Sequence, residues 1–152
     1  MSPRTTTAKF KQHGALRAAS AALLITGMAN SIHYAMLAAA GFPLRPGHPE
    51  AFRDLQHAAM WADGWMGLMA FAGAWGLWRD RSWGRLFGIV SAAALILMGC
   101  LDVAFFAQHG MYEQLDARML EMIVVDTWAF GVGSWLVFVL WNDQRQRFDG
   151  MH

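Results

Sequence analysis

Four long runs of the sequence are almost free of charged residues, and this feature restricts the fold more than any other. Each run contains at most one Lys, Arg, Asp or Glu, and the runs are residues 18–44, 55–78, 86–112 and 122–142. A helix of about 20 residues crosses the hydrocarbon core of a bilayer, so each run is long enough to do so. We therefore predict four transmembrane helices, near residues 17–41, 55–78, 84–108 and 118–141.

The composition agrees with a helical membrane protein. Hydrophobic residues make up 56% of the chain and charged residues 15%, whereas a soluble domain is about 25% charged. Only helices and closed barrels satisfy their backbone polar groups within lipid. Barrel strands would alternate apolar and polar residues, and the segment SAAALILMG (residues 91–99) does not. We predict an all-α integral membrane protein, a four-helix up-down bundle whose short loops join antiparallel neighbours.

The distribution of basic residues predicts how the bundle is oriented. Nine of the twelve lie near the N-terminus, in the turn after the second helix or near the C-terminus, namely Arg4, Lys9, Lys11, Arg17, Arg79, Arg81, Arg85, Arg145 and Arg147. Cytoplasmic segments of membrane proteins carry the excess of Lys and Arg. We therefore expect a multi-pass protein of the cell inner (plasma) membrane, with a cytoplasmic N-terminal tail (1–16), a four-helix transmembrane domain (17–141) and a cytoplasmic C-terminal tail (142–152). A cleaved signal peptide is the less favoured alternative for the first helix, because signal h-regions span only about 7–15 residues.

An internal similarity relates the first and third helices at an offset of 72 residues. The segment ALLITGMANSIHYA (22–35) aligns with ALILMGCLDVAFFA (94–107), which places Asn30 over Asp102 and Tyr34 over Phe106. The second and fourth helices share Asp-x-Trp, at residues 63–65 and 126–128. These matches predict two repeated helical hairpins, an arrangement found in transporters. Chance similarity between apolar helices is the alternative.

Polar residues from all four predicted helices fall in one broad layer in or near the outer half of the bilayer, and the four are Asn30, Asp63, Asp102 and Asp126. At the rise of an α-helix they lie about 9–16 Å from the outer ends of their helices. A charged residue at the bilayer centre costs about 2.5–3.5 kcal/mol, so we expect these side chains to face inward. Carboxylates that lie close together cannot all be ionised. The layer is therefore predicted to bind a substrate or protons, with interhelical hydrogen bonding that only holds the helices together as the alternative.

Further candidates surround this layer. His33 belongs to the predicted site because it follows Asn30 by three residues and shares its helix face. Secondary candidates are Tyr34, His57, Glu121, Trp65 and Trp128. Glu121 either complements the N-terminus of the fourth helix or guards an outer entrance. The two tryptophans either line a pocket for an organic cation or a flat ligand, or face lipid and the core.

Three functions are compatible with this pattern. The favoured one is proton-linked transport or permeation of a cation or small solute by a homodimer, which is not an enzymatic activity. The second is a redox enzyme with a metal or haem held by His33, His57 and the carboxylates, although the sequence lacks the His-Glu-x-x-His and Glu-x-x-His patterns. The third is an accessory or assembly subunit of a larger membrane complex. The sequence requires no cofactor, and it indicates the lipid bilayer, not nucleic acid, as a partner.

Overall fold

The computed structural model describes residues 3–40, 50–113 and 117–149. They form four α-helices, α1 (Pro3–Ala40), α2 (Glu50–Trp78), α3 (Ser82–Gln108) and α4 (Ala117–Asp149), with a short 3-10 helix (Met111–Glu113) between α3 and α4. The predicted all-helical fold is confirmed. Several positions used in the predictions lie outside the described residues. They are residue 41 at the end of the first predicted helix, Arg45, and residues 150–152 of the predicted C-terminal tail.

The helices of the structure are longer than the helices that were predicted from the charge-free runs. α1 begins at Pro3 and α4 ends at Asp149, so most of the two predicted tails continues the helices. Proline is well tolerated in the first turn of a helix, where its missing N–H has no intrahelical partner. The prediction placed the ends too close to the centre because a charged residue limits an apolar segment but does not interrupt a helix.

Three of the four helices contain stretches long and apolar enough to cross a membrane, namely His13–Met36, Ser82–Gln108 and Met119–Gln146. α2 has the required length but contains no stretch apolar enough to count among them, and it carries four tryptophans, four glycines and Asp63. Three of the four predicted helices are therefore long and apolar enough to cross a membrane, and the crossing itself stays a prediction.

Consecutive helices run antiparallel. Along α1 and α2, Ser20 donates to the carbonyl of Ala74 at 2.8 Å, and Asn30 contacts Asp63 further along. The same reversal relates α2 to α3 and α3 to α4, and α1 contacts α4 less extensively than it contacts α2. We call the end with the α2–α3 turn the turn end, and the opposite end the loop end. The main core cluster packs residues from all four helices, including the fully buried Leu23, Leu136 and Leu140.

The closest helix contact joins α2 and α3 through glycines. A Cβ atom on Gly76 would overlap the Cα of Gly84, and a Cβ on Gly73 would lie 2.8 Å from the backbone nitrogen of Gly88. Small residues allow such backbone contact between helices, with the gain in van der Waals energy that stabilises bundles in lipid. By contrast, Gly64 has nothing within 4 Å of its Cβ position among the described residues, so not every glycine of α2 takes part in this contact.

The turn between α2 and α3 is tight. The N–H of Arg81 donates to the carbonyl of Gly76 at 2.8 Å, and the N–H of Asp80 donates to that of Leu77 at 3.1 Å. This is the Schellman pattern of a helix end, and it places Asp80 in the left-handed region with φ 51°. Aspartate tolerates this region better than most side chains.

The distribution of basic residues assigned Arg85 to the turn together with Arg79 and Arg81. In the structure, Arg85 is instead a buried residue of α3. Its guanidinium donates to the carboxylates of Asp143 in α4 and Asp80 in the turn, the latter at 2.9 Å. The Arg85 and Asp143 side chains are 2% and 3% exposed, whereas that of Asp80 is 61% exposed. A buried ion pair therefore joins α3 to α4 at the turn end.

Replacing Gly76 by alanine should lower the free energy of unfolding by about 1–3 kcal/mol, because the new methyl group forces α2 and α3 apart. Thermal or denaturant unfolding in detergent, followed by circular dichroism, measures this. The matched control is Gly64→Ala, which should leave stability unchanged or raise it by roughly 0.5–1 kcal/mol, the usual advantage of alanine in a helix. Equal stability of the two variants would contradict the contact.

Replacing Asp143 by asparagine should destabilise the protein by about 3–5 kcal/mol, because it leaves a buried guanidinium without its buried partner. The same unfolding measurement applies. Asp80→Asn removes a carboxylate from the same guanidinium but at an exposed position, so its cost should stay below about 1 kcal/mol. If the two variants cost the same, Arg85 and Asp143 do not form a dominant buried pair.

Candidate functional site

The four predicted polar residues come together in the loop-end half of the bundle, one from each helix. Asp102 of α3 lies within electrostatic range of both Asp126 of α4 and Asp63 of α2. Asp63 and Asp126 are buried, while Asn30 and Asp102 are half-buried. We call Asp63, Asp102 and Asp126 the carboxylate site. Whether these residues bind a substrate or protons stays a prediction.

The α1 side of the site is held by hydrogen bonds to Asp63. The Tyr34 hydroxyl donates to the Asp63 carboxylate, and the Asn30 side-chain amide donates to the Asp63 backbone carbonyl at 2.6 Å. This amide lies 3.4 Å from the Cβ position of Gly67, so the missing side chain of Gly67 leaves room for it. His33 packs edge-on against Tyr34, with ring centroids 5.2 Å apart. The predicted companions His33 and Tyr34 therefore lie beside the site.

The other two carboxylates have no such partners. Among the described residues, Asp102 and Asp126 have no hydrogen-bond or ion-pair partner, although Asp126 is only 6% exposed. No Lys or Arg whose side chain the structure describes forms an ion pair with the site, and the buried Arg85 is engaged at the opposite end of the bundle. A buried charge without a partner is strongly unfavourable. Three ionised carboxylates here would be uncompensated by the described residues, so proton or cation binding stays the prediction for this site.

Apolar clusters lie on both sides of the carboxylate site along the bundle axis. Towards the loop end, one turn from Asp102 and Asp126 respectively, Phe106 and Met122 belong to a buried cluster. Its other buried members are Phe52, Met111 and Met119. Towards the turn end, a smaller cluster contains Met66, Leu95 and Ala129. The polar layer is thus enclosed between apolar layers.

The secondary candidates divide into two groups. Trp128 donates its indole N–H to the Thr26 hydroxyl at 3.2 Å, one turn from Asn30, and so links α4 to α1 near the site. Trp65 is 61% exposed and directed away from the bundle interior. His57 and Glu121 are also exposed, closer to the loop end. The structure does not bring these last three residues into the site.

Tyr112 is a residue near the site that the sequence pattern missed. It lies in the 3-10 helix, packs edge-on against Phe106 with centroids 6.0 Å apart, and is half-buried. Burial, followed by the charges of Asp126 and Asp102, raises the pKa of the Tyr112 phenol above its ordinary value. Helical spacing could not reveal it, because a turn separates Tyr112 from α3.

The arrangement of ligands gives no support to the metal or haem interpretation. Within the described ranges, no three His, Cys, Asp or Glu side chains are arranged so that they could hold one metal ion. His33 lies beside the site, whereas His57 is exposed nearer the loop end. The carboxylates are therefore close enough to interact through their charges but do not form a metal-binding set.

Taken together, the described residues form four helices, three of them apolar enough to cross a membrane, which bury Asp63 and Asp126 and half-bury Asp102. None of the protein-family models, curated proteins or solved structures compared with the chain matches it.

Replacing Tyr34 by phenylalanine should lower the free energy of unfolding by about 1–3 kcal/mol, because it removes the hydroxyl that donates to a buried carboxylate. Unfolding in detergent at neutral pH measures the change. The control is Tyr112→Phe, since the Tyr112 phenol has no hydrogen-bond partner among the described residues and its loss should cost little. Equal effects of the two variants would show that the Tyr34 hydrogen bond does not stabilise the site.

Proposed function

We propose that this protein is a multi-pass protein of the cell inner membrane that moves protons, or a cation or small solute together with protons, through the carboxylate site. One observation carries the proposal. Carboxylates from three helices gather in one part of the bundle, and no Lys or Arg whose side chain the structure describes is paired with them. An ionisable group inside a membrane is costly and generally marks an ion or proton path.

Membrane insertion is supported by the three apolar helices and by the position of the fourth. α2 packs antiparallel to both α1 and α3 along its length, which supports the proposal that it crosses the bilayer with them. In the proposed orientation, the start of α1, the end of α4 and the turn at residues 79–81 face the cytoplasm. This places nine of the twelve basic residues on that side, as the positive-inside rule requires.

The three carboxylates would serve different roles in transport. Asp63 is fixed by Tyr34 and Asn30, so it holds one side of the site in place. Asp102 and Asp126 have no partner among the described residues and are free to exchange a proton for another cation. Because close carboxylates cannot all be ionised, loss of a proton from one favours uptake of a cation at the site. This exchange is the chemical step that would link solute movement to protons.

A homodimer and a repeated hairpin complete the proposal. Four helices enclose little space once the apolar clusters on both sides of the site are filled. A second copy would provide the additional surface that a continuous pathway needs. In the proposed repeat, the first hairpin contributes α1 and α2 to the site, and the second hairpin contributes α3 and α4. Asn30 and Asp102 then occupy equivalent positions, as do Asp63 and Asp126.

Replacing Asp102 by asparagine should reduce proton movement to the level of empty liposomes, because an amide cannot carry a proton between the other carboxylates. The measurement uses the purified protein in liposomes that contain a pH-sensitive dye, with an imposed pH gradient and a potassium–valinomycin clamp. The control is Asp54→Asn, an exposed carboxylate near the start of α2, which should transport like the wild type.

Two results would contradict the proposed function. One is a wild-type rate equal to that of empty liposomes, and the other is an Asp102→Asn rate equal to that of the wild type. Circular dichroism and gel filtration of each variant establish that it is folded before its rate is compared.

A further inference from the structure

We propose that the carboxylate site binds a small organic cation whose head bears several N–H donors, such as a guanidinium or a primary ammonium group. The inference rests on the proposed function, because it names the solute class for the same site. It is argued from the charge of the site, the burial of its carboxylates, their spacing and the aromatic rings beside them.

The charge of the site requires a cation. Asp126 is more than nine-tenths buried, has no hydrogen-bond or ion-pair partner among the described residues, and faces a site shared with Asp102. A buried acceptor of this kind is normally satisfied by a donor. Since the protein supplies none within the described residues, a ligand with N–H donors would satisfy it.

The spacing of the carboxylates favours a cation built of several atoms. Asp102 interacts electrostatically with both other carboxylates, yet the described residues contain no set of three such groups that could surround one metal ion. A metal ion needs its ligand oxygens within about 2–2.6 Å. A guanidinium group carries several N–H donors in a fixed plane and can reach carboxylates that stand further apart.

Aromatic residues beside the site favour an organic ligand further. Tyr34 lies at the site through its bond to Asp63, and Tyr112 lies within electrostatic range of Asp102 and Asp126. Aromatic faces attract organic cations.

The test is isothermal titration of the detergent-purified full chain with guanidinium chloride, at concentrations far below those that unfold proteins and at constant ionic strength. Tetramethylammonium, which has no N–H donor, and sodium are the comparison ions. We expect guanidinium to bind, tetramethylammonium and sodium not to bind, and Asp126→Asn to weaken guanidinium binding by about tenfold or more. The matched control is Glu121→Gln, an exposed carboxylate on the same helix, which should bind like the wild type. If Asp126→Asn does not fold, Asp102→Asn at the half-buried position replaces it.

The outcomes separate this inference from the proposed function. Absence of guanidinium binding, or binding unchanged by both site variants, overturns the inference. Sodium binding as strong as guanidinium binding also overturns it, in favour of an atomic ion. Proton movement that depends on Asp102 without guanidinium binding would retain the proposed function and reject the solute class. Guanidinium binding without any proton movement would retain the solute class and reject the proposed function.

Discussion

The backbone contact between α2 and α3 determines the geometry of the rest of the bundle. Gly76 and Gly84 bring the two helices together at the turn end, and the Schellman turn at Asp80 fixes how one chain direction reverses into the other. Arg85 then binds Asp143 and joins α4 to the same end. Because three helices are fixed there, the depth at which Asp63, Asp102 and Asp126 lie near the opposite end follows from helix geometry.

The chain thus contains two kinds of buried carboxylate. Asp143 faces a buried guanidinium, an arrangement that offsets much of the desolvation cost, which amounts to several kcal/mol for each ion. Asp126 is equally buried and has no partner among the described residues. An apolar side chain at that position would stabilise the bundle more. Stability alone therefore gives no reason for a carboxylate at this position, whereas the proposed proton or cation binding does.

The sequence predicted the helices and the carboxylate layer because both depend on simple periodic properties. A run without charges indicates a long apolar helix, and one polar residue within each run has to face the interior, as Asp63 and Asp126 do. Helix ends could not be predicted in this way, since Pro3 and Asp149 lie among charged residues that helices tolerate. Arg85 was misassigned for a related reason, because only the three-dimensional packing shows that Asp143 stands opposite it. Trp65 was a candidate for lining a ligand pocket, but it stands two residues from the buried Asp63, and residues two apart on a helix do not face the same side.

The contact between α1 and α4 is the least extensive contact between neighbouring helices of the bundle, and it borders the carboxylate site. α1 contacts α4 less extensively than consecutive helices contact each other, and near the site the two helices are linked by the bond from Trp128 to Thr26. Loss of one such bond costs about 0.5–1.5 kcal/mol, whereas separating α2 from α3 would disrupt close backbone contact along the glycines. In the proposed function, a cation would therefore reach Asp102 and Asp126 most easily by a movement of α1 relative to α4. The glycine contact and the Arg85 pair would keep the turn end closed during that movement.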